Sequence, residues 1–196
     1  GQHRLEVAKQ LETDIFFIKS EDVRESHIIE ANVNQTPWEV ENYISYFSIK
    51  EKIEDYIELQ KMLQMTNLKP KALLNLMLGT VSTEILNFLK TGKFKTPRNK
   101  DYERNIESYL DFISYMKDKR VTPFSMFANN YFTKAYRWLL STNGFDYQLF
   151  LKKLDLRWFD LKPQKGAEDW YKLLISIYNF KNHSKIEEEY GKIAQI

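Results

Sequence analysis

The chain has 196 residues, room for one ordinary domain or for one domain plus part of another. Hydrophobic residues make up 43%, charged residues 29% and aromatics 15%, with few Gly or Pro, a balance that favours a packed helical body and contains no apolar run of bilayer-spanning length. Cysteine is absent, which excludes disulfides, thiolate metal sites and cysteine nucleophiles; His3, His27 and His183 have no zinc-binding spacing, and a net charge of +2 announces nucleic acid only through a local cluster.

In chain order, Gln2 to Leu11 reads as a short helix with Leu5, Ala8 and Leu11 on one face. Thr13 to Lys19, holding Ile15, Phe16, Phe17 and Ile18, reads as a buried strand. Ser20 to Ser26 reads as a turn and short helix, before the polar stretch Ala31 to Gln35. From there on the spacing is helical. Thr36-Pro37-Trp38-Glu39 predicts a helix start, with Thr36 as N-cap and Val40, Ile44 and Phe47 on the helix it opens. Glu51 to Met65 predicts a helix with Ile53, Tyr56, Ile57 and Leu63 inward. Pro70 to Leu78 and Ser82 to Lys90 predict two shorter helices around Gly79. Asp101 to Lys117 carries the stripe Ile106, Tyr109, Leu110, Ile113 and Met116. Thr122-Pro123 predicts one helix through Phe127, Tyr131, Trp138 and Leu139 to a stop at Gly144. Phe145 to Leu154 and Ala167 to Asn179 follow, and Ser184-Lys185-Ile186-Glu187 predicts a capped terminal helix.

Chemistry concentrates at the start. Gly1-Gln2-His3-Arg4 leads into a helix whose first turn holds an imidazole and a guanidinium. A helix N-terminus has unpaired N–H groups and partial positive charge, and Arg4 can grip two phosphate oxygens at once. On those grounds the stretch fits an anion site as well as an ordinary helix start with a surface His and Arg. The pattern G-x-H-R-x-x-x-A followed by an apolar strand resembles the phosphate motif of the ParB/sulfiredoxin superfamily, especially ParB-like proteins of bacteriophages and mobile elements. The resemblance implies that Gly1, Gln2, His3 and Arg4 cradle phosphate groups of a nucleoside triphosphate, CTP in ParB and ATP in sulfiredoxin; a Mg²⁺ ion shared with the phosphates is left open, because it needs few protein ligands. Gln2 stands in the place of the sulfiredoxin cysteine, so sulfinic-acid reduction is excluded. ParB proteins follow this motif with E-N-x-x-R. Setting Trp38 to Glu41 on the following helix start puts Asn32 on the motif asparagine as a further nucleotide-site residue, with Ala31 and Gln35 in the other two places. The family domain has strands ahead of the glycine. Residues 1–35 are therefore expected to be the C-terminal part of a ParB/sulfiredoxin-like phosphate-binding domain, a small α/β remnant, and residues 36–196 a helical domain, giving a mainly α protein.

In ParB a helix-turn-helix follows the nucleotide domain, and the helices around Gly79-Thr80-Val81 have suitable lengths, with Asn87 best suited to read a base. Packing in a helical body explains the same pair. Lys90, Lys93, Lys95, Arg98 and Lys100 form the best basic patch, with no acid among them and Phe94 interleaved. Such a loop either tracks a DNA phosphate backbone or is simply solvated. Trp138, Trp158 and Trp170 with Tyr131, Tyr171 and Tyr178 fit base stacking, but their helical spacing favours core packing. Taken together, the expectation is a ParB-like nucleotide- or DNA-binding protein of phage or mobile-element type in the cytoplasm of a bacterial or phage-infected cell. DNA and nucleotide are its partners, a membrane is not, and a homo-oligomer is left open. The alternatives are a ParB-like nuclease or nucleotide hydrolase, and a protein-interaction or virion-associated module that retains the motif without its use.

Overall fold

The computed structural model describes Lys9, residues 38–97 and residues 101–188. The chain divides into two units, Gly1–Trp38 and Glu39–Ile196. In the first, Lys9 is helical and exposed. The phosphate motif Gly1 to Arg4, the strand expected over Thr13 to Lys19, and Asn32 lie outside the described residues.

The described part of the second unit is mainly helical, with no strand among the described residues. Eight α-helices follow in order: α1 Val40–Ile49, α2 Glu54–Thr66, α3 Pro70–Leu78, α4 Thr83–Lys90, α5 Asp101–Asp118, α6 Asn130–Leu140, α7 Tyr147–Arg157 and α8 Ala167–Asn179. Short 3-10 turns occupy Phe124–Ala128 and Trp158–Asp160. Among the described residues no helix is long and apolar enough to cross a membrane.

Local chemistry sets most of the ends. α3 opens with Pro70 at its first position, where a missing N–H costs nothing, and closes on Gly79 at φ +81°, a left-handed conformation that a side chain resists. Ser82 accepts the Ile85 N–H to cap α4, and Asp146 accepts the Leu149 N–H to cap α7. Two predicted starts move. α1 begins at Val40 with Glu39 in the N-cap position, later than the expected Thr36, which lies outside the described residues. The single helix expected from Thr122 is split at Asn129. The Asn129 side chain donates to the Met126 carbonyl at 2.7 Å and accepts the Phe132 N–H at 2.8 Å. By bonding the backbone on both sides it ends the 3-10 turn and starts α6, the competition with helix continuation that Asn side chains offer. The terminal helix expected at Ser184 does not form over the described residues 184–188. Instead the Asn179 amide holds the backbone of Ile186, donating to its carbonyl and accepting its N–H, both at 2.9 Å.

The core is aromatic. Phe112 is fully buried, with ring neighbours Phe127 at 5.2 Å, Phe132 at 5.4 Å and Tyr136 at 5.3 Å. Trp170 closes the cluster edge-on to Phe132 at 5.0 Å. These offset and T-shaped arrangements suit ring quadrupoles, and they account for the high aromatic content. The stripe expected on α5 turns slightly: Tyr102, Ile106, Tyr109, Phe112 and Met116 are buried, while Leu110 and Ile113 are partly covered. On α2, likewise, Tyr56, Leu59 and Met62 face inward, while Ile57, Leu63 and the N-cap Ile53 lie at the margin. Trp138, Trp170, Tyr171 and Tyr178 are core residues; Trp158 is partly covered and Tyr131 is 54% exposed.

α6 packs on both α3 and α8, α1 packs on α2, and α5 lies along α3. α3 is buried over nearly its whole length, whereas α4 rests chiefly on α1. The two helices flanking Gly79 therefore have different packing partners, and Asn87 on α4 is exposed.

Candidate functional site

The basic patch was the clearest functional signal in the helical part of the sequence. Lys90, Lys93 and Lys95 are exposed; Arg98 and Lys100 lie outside the described residues. The segment is strapped to α2. The Tyr56 hydroxyl receives the Phe94 N–H at 3.3 Å and reaches the Phe88 and Leu89 carbonyls at 2.9 and 3.0 Å. Asp55 accepts from Thr96 N–H at 2.9 Å, from Thr96 Oγ1 at 2.7 Å and from Lys95 Nζ at 2.9 Å. Burial would raise the Asp55 pKa, but these bonds outweigh it and hold the carboxyl below its usual value. Glu58 stands beside it, bonded to Thr96 and Tyr102. The acid missing from the sequence cluster is thus supplied by another helix, and Phe94 is buried in the core.

A second constellation lies at the junction of α3, α6 and α8, around a cavity of about 700 Å³. The sequence builds it from three local features. The left-handed Gly79 turns the chain so that Thr80 and Val81 form one wall. The Asn129 cap sets the first turn of α6 beside it, and Asn75 of α3 ties the two helices together by donating to the Asn130 carbonyl at 3.2 Å. On α6, Tyr131, Lys134 and Trp138 follow at i, i+3 and i+7 and so share one helix face. Tyr131 stands exposed, Trp138 is buried, and the Lys134 ammonium lies 5.1 Å from the Trp138 ring centroid, a cation–π contact. Lys71 of α3 brings a second cation. The opposite wall is the first turn of α8, where Gly166 provides no side-chain cap and Glu168 and Asp169 add two exposed carboxylates.

The cavity therefore has one cationic side, one acidic side with an open helix start, and an exposed ring. A phosphate is favoured beside Lys71 and Lys134, and hydroxyl or amine donors are favoured beside Glu168 and Asp169. Among the described residues no group of three or more His, Cys, Asp or Glu is placed to hold a metal ion. Of the residues the sequence singles out, Thr80 and Val81 of the turn after Gly79 and Tyr131 and Trp138 of the aromatic stripe fall here, the last two with a spacing that favours core packing. Lys71 and Lys134 carry no signal of their own among the chain's many lysines; the Y-x-x-K-x-x-x-W spacing is the one sequence feature that sets Lys134 on the same helix face as the two rings. Comparison with family models, with curated proteins and with solved structures finds no match for this chain.

Proposed function

We propose that this chain is a nucleotide- or DNA-binding protein whose helical unit receives a phosphate-and-base ligand in the α3–α6–α8 cavity. The observation that carries this reading is the exposed ring of Tyr131 set beside lysines from two different helices. An aromatic platform for a base and cations for its phosphates are the two parts that single-strand and nucleotide binding require. The carboxylates on the α8 side favour a ligand with sugar or base donors over a bare anion. The resemblance of Gly1-Gln2-His3-Arg4 to a ParB-type phosphate motif supports the same ligand class from a separate part of the chain. A second reading, attachment to another protein, draws on Leu156 and Phe159, which are 56% and 58% exposed near the end of α7.

Fluorescence anisotropy with a labelled single-stranded oligodeoxynucleotide, competed by nucleoside triphosphate, tests the reading. Tyr131→Ala is expected to weaken binding by an amount corresponding to about 1–3 kcal/mol, the worth of one stacked base. Equal binding by wild type and variant, or no binding by either at low salt, would remove the cavity from consideration. Cleavage of the probe on adding Mg²⁺ would move the protein to the nuclease alternative.

A further inference from the structure

A smaller cavity of about 350 Å³ lies between the first half of α5, the end of α6 and the start of α7, and shares no lining residue with the cavity described above. Its walls include Arg104 and Asn105 of α5, Arg137 of α6, and Leu140, Phe145 and Tyr147. Two of these carry buried donors without a partner. Asn105 is 5% exposed, and its Nδ2 has no hydrogen bond; Arg137 Nε is buried and has none either. Buried polar groups are nearly always paired, so two donors without a protein partner at one cavity are placed to meet an acceptor that enters it, a bound group or water. The Arg137 side chain is otherwise fixed: its Nη1 donates to Ser141 Oγ, and its stem lies 3.8 Å from where a Cβ on Gly79 would stand. Tyr147 is held by donation to the Ser108 carbonyl at 3.0 Å.

The charges leave the cavity net positive, two guanidiniums against the one carboxylate of Asp101. Burial lowers the Arg137 pKa below its usual value, and Asp101 at the rim opposes that shift through its charge without bonding Nε. Arg104 adds an exposed guanidinium. Burial, countered in part by a hydrogen bond with Tyr136 and reinforced by the Asp111 carboxylate, pushes the Tyr147 hydroxyl up to about 12, so it stays a neutral donor. A site with two arginines and an amide donor, facing the partly buried carbon surface of Leu140 and Phe145, is complementary to an oxyanion on a short carbon body.

We infer that this cavity binds a small oxyanion, a carboxylate or phosphate group, through Arg137, Asn105 and Arg104. The test is a ¹H–¹⁵N titration of the full chain with inorganic phosphate in one arm and succinate in the other, at constant ionic strength in chloride. Saturable shifts of the Asn105 side-chain amide and the Arg137 Nε–H are expected, and the arm that produces them identifies phosphate or carboxylate. Arg137→Gln keeps the stem and is expected to weaken binding at least about tenfold, read from the Asn105 amide. Arg104→Gln, at an exposed position, is expected to weaken it by a smaller factor. If neither anion shifts these resonances at millimolar concentration, the donors are met by water and the proposal is overturned. Unchanged titration curves in both variants would overturn it equally.

Discussion

Removing one oxygen from Tyr56 should show how firmly the basic segment is strapped down. The ring is fully buried between Phe47 at 5.0 Å and Phe94 at 6.1 Å, so Tyr56→Phe leaves packing intact and deletes only hydrogen bonds. The hydroxyl has one proton to share between the Phe88 and Leu89 carbonyls and accepts the Phe94 N–H. The Phe88 carbonyl keeps the Lys93 N–H at 3.0 Å, so it is not orphaned. The Leu89 carbonyl and the Phe94 N–H lose their partners in a part of the core where both residues are almost fully buried. Two such groups at about 1–3 kcal/mol each, less some relaxation, give an expected loss of about 2–3 kcal/mol. Urea denaturation should show a lower midpoint with unchanged slope, and the Phe94 amide should exchange faster with solvent. A loss under about 0.5 kcal/mol, the range of an ordinary surface change, would mean that water replaces the hydroxyl and that the strap is not what holds Lys90 to Lys95 in place.

Other substitutions probe the remaining links. Trp138→Ala should cost about 3–5 kcal/mol by thermal or urea unfolding, because the ring is 5% exposed and meets Tyr171 edge-on at 5.9 Å. Gly92→Ala should cost more than about 1 kcal/mol in the same assay, since Gly92 sits at φ +73° and a Cβ there would stand 2.8 Å from the Phe47 ring. Asp55→Asn should destabilise the protein at neutral pH and cease to matter in acid. The folded pKa lies below 3.8, so the stability Asp55 contributes is present above 3.8 and is lost as pH falls through the lower folded value. Stability curves of wild type and Asp55→Asn should therefore converge below about pH 3.8, and a constant gap would refute the role of its charge.

Helix ends fixed by a backbone rule were legible in the sequence. Pro70 and Gly79 bracket α3, and α8 spans Ala167–Asn179 as its periodicity predicts. Ends decided by side-chain competition were not: nothing local distinguishes Asn129 as a cap from Asn129 as a helix residue until its two backbone bonds form. The stripe centres on α2 and α5 lie part of a turn from where the spacing puts them, because several apolar residues compete on each helix and only packing selects Leu59 over Ile57 or Phe112 over Ile113. Charge was harder still. The lysine cluster is acid-free along the chain, yet Asp55 reaches Lys95 from another helix. The cavity lined by Lys71, Tyr131, Lys134 and Glu168 combines three helices that no spacing rule links.

The central claim, that the α3–α6–α8 cavity holds a phosphate-bearing ligand, is tested most directly by the salt dependence of single-stranded DNA binding. Lys71→Gln/Lys134→Gln removes both cations, and Lys134 is partly covered while Lys71 is exposed, so the fold has little to lose. The slope of log K against log salt should become shallower by up to about 0.7 for each phosphate contact removed, with weaker binding at every salt concentration. Wild-type and variant lines that overlay, or a wild type that does not bind at the lowest salt, would contradict the account.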